Sequence, residues 1–164
     1  MKRLILSILI LGTLFVSCQK DPIGETATAS TAGEWHVCVD VYDVDGNNYG
    51  DAFGAGKFII STFNTAANLP TEMYLYDCLN FWEFQVAVKV DPAAATFATD
   101  GEADNLIYDC KVTVTDGKIS YGSAKTPSGQ PADGIEFTVT FSDDPYGFTY
   151  KFYGYRYTGL AGDE

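Results

Sequence analysis

One histidine, four cysteines and 22 carboxylates are the side chains that could do chemistry in this 164-residue chain. A Ser-His-Asp triad would have to draw on His36. That residue alternates with Trp35 along residues 31–42, so if the indole points into a core the imidazole points out of it. No Gly-X-Ser-X-Gly elbow is present to expose a nucleophilic serine. One histidine also rules out zinc sites built on two or three. Paired carboxylates could act as acid and base, but Asp and Glu concentrate in the turns, where solvation is the default. Residues 43–51, DVDGNNYGD, look like part of a calcium loop. They lack an acidic position before the Gly and the closing bidentate Glu of an EF-hand, so a turn built on Asp-Gly and Asn-Asn is the expectation. The sequence therefore assigns no catalytic residue, no metal ligand and no cofactor.

The cysteines point elsewhere. Lys2 and Arg3 precede an apolar run over residues 4–16 that ends in Phe15-Val16-Ser17-Cys18. This run has the length of a signal peptide rather than of a membrane span. Its end resembles a lipobox, which makes residues 1–17 a lipoprotein signal peptide and Cys18 an acylated N-terminus. Residues 18–32 are polar and small, and read as a flexible tether. Residues 33–164 then form the folded domain. The expected address is the cell envelope, with the chain lipid-anchored to the outer membrane through Cys18. Cys38, Cys78 and Cys110 remain, an odd number that leaves at least one thiol unpaired in an oxidising compartment.

Net charge is −12. Nucleic acid is excluded as a partner, because a phosphate-binding face needs clustered Lys and Arg. The elements that must position these residues are strands. Residues 31–42 put Trp35, Val37, Val39 and Val41 on one face, and Phe148, Tyr150, Phe152, Gly154 and Arg156 share a face near the other end. Further alternation over 56–63, 71–76, 81–90, 106–115, 118–121 and 135–141 gives about eight strands. Asp116-Gly117 is the expected turn of a two-residue hairpin. High aromatic content, frequent Gly and no long helical pattern agree with an all-β chain. The expected architecture is an antiparallel up-and-down barrel, with the first and last strands paired; a jelly roll or an immunoglobulin-like sandwich is the alternative. Parity places Val37, Val39, Trp82, Phe84, Val86, Phe137, Val139, Tyr150 and Phe152 inside, as the lining of a ligand cavity or as its filling. Tyr153, Tyr155 and Tyr157 form an outward row on the last strand.

Gly33-Glu34-Trp35 on the first strand and Arg156 on the last resemble the lipocalin arrangement, in which a cation stacks over an indole where the barrel closes. Residues 60–68 (ISTFNTAAN), Glu72-Met73 and the ending GYRYTGL over 154–160 resemble the Bacteroidota lipoprotein family labelled "lipid-binding putative hydrolase". The family's ending has a second basic residue where this chain has Tyr157, and Phe-Pro where it has Leu160-Ala161. The resemblance implies a lipocalin-like barrel on an envelope lipoprotein that binds a small apolar ligand such as a lipid or fatty acid. Surface adhesion through the outer face and hydrolysis at an unidentified site are the alternatives.

Overall fold

A computed structural model describes residues 25–163; the signal segment and Cys18 lie outside the described residues. Alternation makes the strands. Along β1 (Gly33–Tyr42) the residues Trp35, Val37, Val39 and Val41 are buried, and the β-branched side chains fill the inner face. The others are β2 (Phe58–Asn64), β3 (Glu72–Tyr76), β4 (Gln85–Asp91), β5 (Thr96–Ala98), β6 (Ala103–Asp104), β7 (Lys111–Lys125), β8 (Pro131–Phe141) and β9 (Thr149–Arg156). Every pairing is antiparallel, and the sheet order is β5-β4-β3-β2-β1-β9-β8-β7-β6. An added β5–β7 pairing closes the sheet on itself. Eight strands thus make the barrel expected from the sequence, and β6 flanks the start of β7. β1 and β9 lie side by side from Trp35↔Arg156 to Tyr42↔Thr149.

Three segments differ from what alternation alone suggests. Residues 81–84 are loop, and β4 starts only at Gln85. The cause is upstream: Cys78, Leu79 and Glu83 all have positive φ, and the fully buried Asp77 gathers the loop around its carboxylate. Oδ1 accepts from the backbone N–H of Leu79 and Phe84, and Oδ2 from those of Phe81 and Trp82. Asp116-Gly117 does not turn the chain. β7 runs through it with a register shift between Thr115 and Lys118, a bulge rather than a hairpin. A Cβ on Gly117 would lie 2.3 Å from the Phe97 carbonyl oxygen, so glycine is what lets β5 approach. The true β7–β8 turn falls at residues 126–130. Residues 106–110 are likewise outside the strands, and residues 96–98 supply the closing strand instead.

The described part of the tether is docked. Thr28 and Thr31 are buried, the Ala32 N–H donates to the Thr28 carbonyl, and the Ala27 N–H donates to Asn68 Oδ1. Strand direction then sorts the connections into two ends. One end holds the entry of β1, the exit of β9 and the short turns 65–71, 92–95 and 126–130. The other holds the segments 43–57, 77–84, 99–110 and 142–148.

Candidate functional site

The entry end is sealed by polar contacts around Trp35. The Arg156 guanidinium carbon lies 4.4 Å from the centre of the indole. Its Nε donates to Asp133 Oδ2 at 3.0 Å and its Nη1 to the Ala32 carbonyl at 2.7 Å. Trp35 Nε1 donates to Thr62 Oγ1 at 2.9 Å, and that hydroxyl donates to the Thr31 carbonyl at 2.8 Å. Gly33 makes room for the guanidinium, because a Cβ there would fall 2.2 Å from Nη1. Asp133 and Thr62 carry this arrangement as much as Gly33, Trp35 and Arg156 do. Nothing in the spacing of Asp133, which lies outside the alternating runs, marks it out.

The residues read as cavity lining occupy the barrel core. Val37, Val39, Phe84, Val86, Phe137, Val139, Tyr150 and Phe152 are all buried. They pack on one another: Phe137 and Phe152 stack with centroids 4.8 Å apart, and Phe84 meets Phe152 edge-on at 6.2 Å. Trp82 sits higher, half-buried, and stacks on Phe141 at 4.8 Å. The Tyr150 hydroxyl donates to Asp144 Oδ2 at 2.9 Å. Burial, then this carboxylate, push the phenol's pKa up.

The opposite end is covered by rings. Phe81, on the loop held by Asp77, lies within 6.1 Å of five other rings: Phe53, Phe58, Trp82, Tyr150 and Phe152. Phe53, over half exposed, forms the outermost of these. Of the twelve exposed large hydrophobic side chains among the described residues, eight lie on the four segments of this end, Val44, Leu79, Leu106, Ile107 and Tyr146 among them. The same segments hold eleven of the chain's 22 carboxylates and one cation, Lys57. Lys57 Nζ is turned to the Asp163 carbonyl and the Tyr155 hydroxyl. At the rim, Asp143 Oδ1 accepts from Cys110 Sγ at 3.0 Å and Trp82 Nε1 at 3.2 Å, and Oδ2 accepts from the Tyr108 hydroxyl at 2.7 Å. Desolvation works to raise the pKa of Asp143. The hydrogen bonds from Cys110, Tyr108 and Trp82 outweigh it and hold the carboxyl below its usual range.

A family model described as "lipid-binding putative hydrolase" matches residues 20–161. The chain belongs to that family. No curated protein matches it. Among solved structures, a structural-genomics crystal structure of unknown function from Bacteroides ovatus is similar at 12% identity and a TM-score of 0.48. The alignment covers 80% of this chain and 43% of that one.

In this member of the lipid-binding family, His36 faces away from the core but is not in solvent. It is buried under Tyr155 and Tyr157, whose rings meet it edge-on at 5.6 and 4.9 Å. Of the outward tyrosine row only Tyr153 is exposed; Tyr155 and Tyr157 are half-buried packing partners. The acidic turn is engaged by its own chain. Asp43 accepts from the N–H of Asp45 and Asn47, the Asn47 amide and the Tyr49 hydroxyl. Asp51 accepts from the N–H of Ala55 and Gly56. Cys38, Cys78 and Cys110 are all free thiols. Burial, followed by nearby carboxylates, raises the pKa of Cys38 and Cys78.

Proposed function

We propose that the protein is a lipid-anchored envelope barrel that binds a small apolar ligand through its ring-covered end. The observation that carries this reading is the contrast between the two ends. One is locked by Arg156, Asp133, Trp35 and Thr62. The other is stopped by aromatic side chains on loops and carries most of the exposed apolar surface, a pattern that marks binding sites. Phe81 occupies the place an apolar chain would take, between Phe58, Tyr150 and Phe152. Turning the half-buried Phe81 ring aside seats the ligand on those rings, with the backbone of the loop still held by Asp77. The anchor is acylated Cys18 in the outer membrane, a reading that rests on the lipobox-like end of the apolar run.

The test is uptake of the neutral dye N-phenyl-1-naphthylamine by delipidated protein carrying Cys18→Ser. Saturable fluorescence enhancement is expected, and its absence would overturn the ligand reading. Radiolabelled palmitate should enter the wild-type chain and not the Cys18→Ser variant. A second reading, adhesion through the outer face, is favoured by a groove of about 380 Å³ beside Tyr153 and Tyr155, lined also by Ser120, Ser123 and Glu136. Saturable glycan binding that Tyr153→Ala abolishes, in protein that takes up no dye, would select it.

A further inference from the structure

We infer that the ring-covered mouth selects amphiphiles with a cationic head and discriminates against fatty-acid anions; this rests on the apolar-ligand reading above. Two features of the same four loops combine. They expose eight large apolar side chains, which suits a hydrocarbon chain. Their charges are almost all negative, which decides the head. A ligand whose chain lies against Tyr150 and Phe152 leaves its head at the rim, beside Asp143.

The cations nearest Asp143 are engaged, and Lys151, beside Asp43 and Val44 on the outer side, lies 3.9 Å from Glu136. Lys57 is directed at the C-terminal segment. Lys111, the first residue of β7, pairs with Asp104. Arg156 is at the opposite end, over Trp35. A carboxylate head would meet like charge, and like charges brought together cost binding rather than add to it. An ammonium head would meet the reverse. The Asp143 carboxylate is exposed and ionised at neutral pH, with the Trp82 indole and the Tyr108 phenol on either oxygen. A carboxylate fixed at the rim by these two ring donors presents a full negative charge that attracts a quaternary or primary ammonium.

The experiment is competition against N-phenyl-1-naphthylamine by dodecyltrimethylammonium and by dodecanoate, below their micelle concentrations and at low salt. The ammonium should compete about tenfold more strongly or better, the scale on which like-charge contacts set specificity. Molar salt, where the Debye length is about 3 Å, should narrow the gap. Tetramethylammonium, which has no chain, should not compete; if it competes equally, the attraction is general to an acidic protein and the inference falls. Asp143→Asn should reduce the ammonium preference severalfold. Glu83→Gln with Asp109→Asn provides the same readout at exposed positions should Asp143→Asn fail to fold. If no dye binds, the apolar-ligand reading fails and this inference with it. If dye binds but dodecanoate competes as well as the ammonium, the charge selection is wrong and the apolar-ligand reading stands.

Discussion

Replacing Gly33 with Ala should displace a guanidinium that the substitution does not itself remove. The new methyl would fall 2.2 Å from Arg156 Nη1. Because Nη1 is the end of a flexible side chain, the arginine moves and the backbone does not. It then loses its place over Trp35, 4.4 Å away, and its bond to the Ala32 carbonyl. The stacking contributes about 0.5–2 kcal/mol and the charged hydrogen bond about 1.5–3 kcal/mol. Part of this returns when the guanidinium is hydrated, so Gly33→Ala should cost about 2–3 kcal/mol. In an Arg156→Met background the sign reverses. Gly33 is not among the positive-φ residues, so Ala there only restricts the unfolded chain and should stabilise by about 0.4–1 kcal/mol. The coupling between the two positions is then about 3 kcal/mol, at the upper end of what touching residues show. Urea unfolding of the four proteins at a shared m-value measures it. An equal cost of Gly33→Ala in both backgrounds would refute the argument that Gly33 is there to seat Arg156.

Phe81→Ala removes a half-buried ring and should cost about 2 kcal/mol, below the 3–5 of a fully buried Phe, while dye fluorescence at a fixed concentration rises; unchanged fluorescence would mean that Phe81 does not guard the mouth. Asp163 is held well below the usual carboxylate range by hydrogen bonds from Ser128 and then Thr158. A depressed folded pKa gives stability that is fully present above the unfolded pKa and lost as pH falls through the folded one. Asp163→Asn should therefore lower the melting temperature at pH 7, and the gap should close below about pH 4. Cys38 and Cys78, with raised pKa values, should react slowly with a thiol reagent at neutral pH and fully after denaturation; a disulfide between any two of the three described cysteines in oxidised protein would contradict their placement as free thiols.

Much of the barrel was legible because period-two burial survives translation into strands. Trp35 and Arg156 sit at the ends of two alternating runs, and those runs do pair. Local backbone choices were less legible. Residues 81–84 alternate as cleanly as the strand they precede, yet Glu83 takes φ 50° without being glycine. What bends them is Asp77, whose cage of four N–H groups exists only once the loop has formed. Asp116-Gly117 has turn chemistry, but the approach of Phe97 makes it a bulge. The crowding of acids at one mouth was present in the sequence all along. It becomes visible only when strand direction assigns the four loops to the same end.

Pairing β1 with β9 also decides when the molecule can exist. A nascent chain that has emerged only to residue 148 holds β1 and β8 as open edges, with nothing yet available to bridge them. Such long-range closure belongs to the slow class of folding reactions, about milliseconds to seconds. Until it happens, the aromatic strands are exposed to one another and to neighbouring chains.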